Sequence, residues 1–194
     1  MLTKARPRCF GEILIEHCAP VLAGIKVANL FRHEFLADED MVENINSWNK
    51  SFYAKGIKIL MLKKFPNENT CLLYVYREKF LAEILSNINN QKFLQQRGYT
   101  NLSSLEDSLN TLGERIRKEA VFPHEIGIFL GYPLEDVIGF MVHQGRNALC
   151  CGCWKVYGDK VNAEECFYKY KVCTEIFRQR YYKGQSIFDL IVAA

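Results

Sequence analysis

Nowhere in its 194 residues does the chain hold an uninterrupted apolar run near the roughly 20 residues that a bilayer-spanning helix needs. A transmembrane segment is excluded on that ground. The first residues carry Lys4, Arg6 and Arg8 but not the apolar stretch of a signal peptide, so a cytoplasmic location is expected and the basic cluster reads as a solvated terminus. Internal repeats, low-complexity tracts and Pro/Gly/Ser-rich linkers are missing too, which makes a single domain over residues 1–194 the expectation. Nor is there an excess of one charge: a net +3 with both signs interspersed offers neither a basic stripe for nucleic acid nor an acidic tail.

What the chain does have is apolar bulk, at 49% hydrophobic residues, and eight cysteines. The bulk is enough for a substantial core burying on the order of 70% of the unfolded surface. In a reducing compartment the cysteines are thiols, either core filler or metal and redox groups, and a small buried hydrophobe is the plain reading for each.

Periodicity along the chain is mostly helical. Phe10, Ile13, Leu14 and His17 recur at helical spacing, and the pattern is expected to stop before Pro20. Val21 to Phe31 is apolar but broken by Gly24, Lys26 and Asn29, and reads as irregular or briefly helical. Asp38 is placed to cap a helix with the stripe Met41, Ile45, Trp48 and Phe52, ending at Gly56. Ile57 to Leu62 and Cys71 to Tyr76 are β-prone runs around the turn-forming Pro66-Asn67-Glu68-Asn69, so an antiparallel hairpin is predicted. Arg77 to Asn89 returns to helical spacing, and Ser103 with Glu106 forms a capping box for a helix through Leu109, Leu112 and Ile116. Cys150 to Tyr157 fits a third strand of the same sheet. A long amphipathic helix follows, with Ala163, Cys166, Phe167, Tyr170, Cys173, Phe177 and Tyr181 on one face, ending at Gly184; Ser186 caps a last short helix. The fold class expected is α+β, a small antiparallel sheet surrounded by helices.

The densest segment is Pro123 to Phe140. Pro123 suits a helix start and Gly131 a stop; Pro133 opens a second helix with Glu135 and Asp136 in its first turn, where the macrodipole favours carboxylates, and Gly145 is placed to end it. The spacing Ile126, Leu130-Gly131, Val137 is that of a DNA-binding helix-turn-helix. The residues that would enter the groove are Pro133, Leu134, Glu135 and Asp136, whose carboxylates repel phosphate, so no nucleic-acid partner is expected.

Three segments together, PHEIGIFLGYPLEDVIGF at 123–140, WKVYGD at 154–159 and EHCAPVLAGIKVANLF at 16–31, resemble the bacterial family called domain of unknown function 3793 over nearly the whole chain. The family pattern more often has Thr and Pro where this chain has Val21 and Val27. The resemblance implies a soluble protein of about this size and brings no activity, cofactor or catalytic residue with it.

Three kinds of chemistry can be read from the residues. Cys150, Cys151 and Cys153 on a strand and Cys166 and Cys173 on a helix could converge on zinc or an iron–sulfur cluster, although buried thiols are the better account and no metal site is assigned. His17-Cys18 and His124-Glu125 could join as a thiol nucleophile with an imidazole and an orienting carboxylate, against which His17 continues an apolar stripe. Lys26, Asn29, Tyr132, Trp154, Lys155 and Tyr157 supply the apolar walls and sparse polar groups of a small-molecule pocket. The reading adopted is a non-catalytic accessory protein that binds a small ligand or a protein partner. Its ligand site is drawn from His17, Cys18, Lys26, Asn29, His124, Glu125, Tyr132, Trp154, Lys155 and Tyr157. A thiol/histidine enzyme and a metal protein are the alternatives. No motif specifies a cofactor, no membrane partner is expected, and a homodimer through the C-terminal helix is the further option.

Overall fold

The computed structural model describes residues 9–35 and 40–193. Lys4, Arg6, Arg8 and Asp38 lie outside them. The described elements are, in order, α1 (Phe10–Leu22), β1 (Ala28–Glu34), α2 (Met41–Phe52), β2 (Ile57–Phe65), β3 (Thr70–Arg77), α3 (Glu78–Ser86), α4 (Ile88–Gln95), α5 (Leu105–Lys118), α6 (Ile126–Phe129), α7 (Leu134–Val142), β4 (Cys150–Cys151), β5 (Lys155–Val156), α8 (Lys160–Tyr182) and α9 (Ile187–Leu190). The class is α+β: a three-stranded antiparallel sheet in the order β1-β3-β2 is surrounded by helices, with a separate two-stranded ribbon β4-β5.

β3 is the middle strand, and its alternation divides the core. Cys71, Leu73 and Val75 face one apolar cluster with Leu14, Cys18, Phe52 and Phe177 from α1, α2 and α8. Tyr74 and Tyr76 face the other, with Leu81, Leu112, Phe129 and Val137 from α3 and α5–α7. Period-2 side chains buried on both faces make β3 a near-continuous apolar run. The predicted hairpin is present and longer than its β-prone cores, with Asn69 in the left-handed conformation (φ 47°) closing its turn. α2 is capped by Asp40, whose carboxylate accepts from the Val42 and Glu43 amides.

Several expectations are corrected. α1 runs through Pro20 to Leu22. Proline so near the helix end forfeits one amide bond, and the carbonyls left open in that last turn are taken by other donors, chiefly the Arg77 guanidinium at Val21 and Leu22. The stretch read as irregular contains the strand β1, which pairs with β3 from Ala28↔Tyr76 to Glu34↔Thr70. Its apolar residues face both clusters, so no one-sided alternation marks it. Cys150 to Tyr157 is not a third strand of the main sheet; it doubles back at Gly152, whose amide donates to the Trp154 carbonyl, and pairs with itself. The helix after the hairpin breaks at Asn87, which caps α4 by accepting from the Asn89 and Asn90 amides, and Arg77 belongs to β3. Ser104, one residue past the expected Ser103, caps α5 by accepting from the Asp107 amide. α6 is a single turn beginning at Ile126, two residues later than His124.

Candidate functional site

Two helix ends of the same design face each other. Where α1 stops, Gly24 takes φ 75°, its amide donates to Val21 O and the Ile25 amide reaches back to Pro20 O, a Schellman closure. The Lys26 amide shares the Pro20 carbonyl, which fixes the lysine just beyond the turn. Where α6 stops, Gly131 takes φ 77°, with its amide on Ile128 O and the Tyr132 amide on Gly127 O. The two turns touch. A Cβ on Gly131 would stand 2.7 Å from a Val27 methyl, so glycine is required there by space as well as by backbone conformation. Lys26 Nζ consequently lies 6.0 Å from the centre of the Tyr132 ring and 5.6 Å from that of Tyr170 on α8.

The ribbon forms the adjoining wall, and Asp136 holds it. This carboxylate, buried in the first turn of α7, accepts from Trp154 Nε1 at 2.7 Å and from the Tyr157 and Gly158 amides at 2.7 and 2.9 Å. The Trp154 indole is thereby set against Tyr132, stacked with ring centres 4.9 Å apart, and edge-on to Phe167 of α8 at 4.6 Å. The Tyr132 hydroxyl donates to the Cys153 carbonyl in the ribbon turn. Gly152 lies flat on α8, since a Cβ there would meet the Phe167 ring at 2.2 Å.

Two concavities open on this wall. One, of about 340 Å³, lies between α6–α7 and the ribbon and is lined by His124, Tyr132, Phe140, Cys153, Trp154 and Lys155 among others. The other, of about 680 Å³, lies between α1, β1 and α8; His17, Lys26, Asn29, Tyr132, Cys153 and Tyr170 contribute to it. Tyr132 and Cys153 belong to both. A further hollow of about 420 Å³ along α5 is lined by polar residues such as Asn101, Asp107 and Glu114 and has no aromatic wall.

The expected site residues therefore divide. His17, Lys26 and Asn29 meet in the larger concavity, where His17 stacks on Phe31 and the Asn29 amide donates to the His17 carbonyl. His124, Trp154 and Lys155 meet in the smaller, with Tyr132 between them. Lys155 is engaged, donating to Gly145 O at 2.6 Å. Three residues are elsewhere. Cys18 is fully enclosed in the core, and burial pushes its thiol far above the ordinary range, so it cannot serve as an accessible nucleophile beside His17. Glu125 turns away from its neighbour His124 to the Arg115 guanidinium, Nε 2.6 Å away, and the Tyr99 hydroxyl. Tyr157 gives its amide to Asp136 and stacks its ring on His143.

The cysteines are redistributed as well. Cys18 and Cys71 are buried, whereas Cys151 and Cys153 are exposed, contrary to their expected place beneath the sheet. Cys150 and Cys153 do have the C-x-x-C spacing that zinc knuckles use. Among the described residues, however, no three His, Cys, Asp or Glu side chains gather as metal ligands. The described helices include none long and apolar enough to cross a membrane.

Sequence reasoning missed Asp136 as the group that ties α7 to the ribbon, and missed Tyr170 and Cys153 as cleft residues. Tyr170 was visible only as one more member of the apolar stripe of α8. A family model described as a protein of unknown function (DUF3793) matches residues 14–191. No curated protein and no solved structure matches the chain.

Proposed function

The chain belongs to the DUF3793 family, and from its paired concavities we propose a non-catalytic accessory role: binding a small molecule with a flat apolar body against the Tyr132–Trp154 wall. One observation carries the reading. Tyr132 and Trp154 spend their polar atoms on the protein itself, through Cys153 O and Asp136, and so present ring surface, Tyr132 to both hollows and Trp154 to the smaller one. Apolar walls of fixed orientation with few polar groups are what small-molecule sites share. The groups that would do chemistry are otherwise occupied. Cys18 is enclosed, the Asp136 carboxylate already accepts three hydrogen bonds, and burial pushes the Tyr132 hydroxyl up to about 12.

The test is titration with N-phenyl-1-naphthylamine, an uncharged aromatic probe whose fluorescence rises in apolar surroundings. Saturable binding near one probe per chain is expected, weakened about tenfold in Tyr132→Ala and in Trp154→Ala, since an aromatic contact contributes about 0.5–1.5 kcal/mol beyond area. Absence of saturable binding, or binding indifferent to both substitutions, refutes the proposal.

A further inference from the structure

The larger concavity holds a buried cation that no carboxylate among the described residues pairs with. Lys26 is 8% exposed. Its ammonium has three donors, and the hydrogen bond it makes is to Asn29 Oδ1 at 2.6 Å. The orientation of Asn29 is fixed in turn, because its NH₂ group donates to the His17 carbonyl and only its oxygen is left to face the lysine. That partner is neutral: it aims the ammonium and does not compensate its charge. Among the described residues no carboxylate stands within ion-pair distance of Lys26 Nζ. The ring faces of Tyr132 and Tyr170 lie beside it, and the thiols of Cys153 and Cys18 are the titratable groups near enough to act on its charge.

Lysines with a structural task in this protein end on main-chain carbonyls: Lys55 on Ile191 O, Lys63 on Ile116 O and Lys155 on Gly145 O. Lys26 ends in a hollow. Taking an ammonium out of water without a counter-charge is unfavourable, and an anion entering the hollow would relieve it. Burial lowers the pKa of Lys26, as expected of a cation not yet compensated.

We infer that this concavity recognises an aromatic monoanion, its negative group on Lys26 Nζ and its ring against Tyr132. The inference rests on the binding role proposed above. A single negative charge matches the one buried cation of the lining, Lys26; at its rim Glu175 lies 3.6 Å from Arg178. A dianionic phosphate would exceed that. The aromatic body follows from the wall that Tyr132 shares with the neighbouring hollow.

Two probes with the same ring system separate charge recognition from apolar binding. 1-Anilinonaphthalene-8-sulfonate carries one sulfonate; N-phenyl-1-naphthylamine carries none. In Lys26→Met the affinity for the sulfonate is expected to fall at least tenfold while that for the uncharged probe changes less than threefold. Lys183→Met, at an exposed position outside both concavities, should move neither by more than threefold. Equal behaviour of the two probes in Lys26→Met overturns the anion site and leaves the binding cleft standing. Failure of both probes on the unaltered protein removes the cleft as well. Should Lys26→Met not fold, competition on the unaltered protein decides: benzoate is expected to displace the bound sulfonate at concentrations where benzyl alcohol does not, and equal displacement overturns the inference.

Discussion

Arg77 and Lys26 are both buried, both lie at the end of α1, and the protein uses them in opposite ways. Arg77 has no exposed surface; its Nε donates to Val21 O at 2.6 Å, and its Nη2 to Leu22 O and Val192 O at 2.7 Å each. Only Nη1 is without a hydrogen-bond partner among the described residues. The planar fork thus joins the last turn of α1 to the C-terminal segment by way of β3. Lys26 has one neutral partner and an open hollow. A buried cation whose donors end on main-chain carbonyls closes the fold; one aimed at empty space and lacking a counter-charge is available to something else. The residue types suit the two tasks, since guanidinium offers several donors in fixed directions and ammonium a compact charge.

The largest effect that could break this contrast is at the clamp. Arg77→Met removes the guanidinium's hydrogen bonds to Val21 O, Leu22 O and Val192 O, each contributing about 1.5–3 kcal/mol as a bond to a charged group. Val21 O keeps the Gly24 amide and Leu22 O the Val192 amide, and a loss of about 4 kcal/mol in urea unfolding is expected. The segment around Val192 should also become accessible to carboxypeptidase. A loss below about 1 kcal/mol would mean that the amides already on Val21 O and Leu22 O suffice and that Arg77 is no more structural than Lys26.

Next in size is Asp136→Ala, which asks whether the cleft wall is built as firmly as the clamp. Trp154 Nε1 and two amides lose a shared acceptor, and hydrogen bonds to a charged group contribute about 1.5–3 kcal/mol each before relaxation. The exposed ribbon can hydrate its freed donors in part, so about 3 kcal/mol is expected. A red shift of tryptophan emission should report that Trp154 has left Tyr132. Unchanged emission with unchanged stability would show that stacking alone holds the wall.

What could be read from sequence follows the range of the interactions. The β2–β3 hairpin, the α2 stripe and the stop at Gly131 depend on residues a few positions apart, and each was visible. β1 was hidden because Phe31 faces one apolar cluster while Ala28 and Leu30 face the other. The ribbon was taken for one strand because its reversal at Gly152 is imposed by Phe167, on another element. At the site, Lys26, Asn29, Tyr132 and Trp154 were named for their chemistry, but what assembles them was not legible. Asp136 was read as a first-turn acid, which it is, while its three donors lie 18, 21 and 22 residues further on. His124 and Glu125 misled in the reverse sense: adjacent residues in a helical turn point apart, one into the cleft and the other to Arg115.

The smallest expected effect sharpens the contrast most, because its sign differs. Burial lowers the pKa of Lys26 in the folded chain, while in the unfolded chain a lysine titrates near its ordinary value of about 10.4. Between those two values the unfolded state binds more protons, so this group makes stability rise with pH; below both, the cost of the buried charge is fully present. Lys26→Met removes that cost. At pH 7 the variant is expected to match the unaltered protein or exceed it by about 1 kcal/mol, in keeping with replacement of buried charge by apolar volume. Its advantage should shrink as the pH rises through the lowered pKa of the folded lysine toward the ordinary value. Parallel urea unfolding of both proteins at several pH values between 7 and 10 measures this, and the lysines and tyrosines common to both largely cancel in the difference. A variant less stable than the unaltered protein by 1 kcal/mol or more, with a gap independent of pH, would place Lys26 beside Arg77 as a clamp and dissolve the distinction between them.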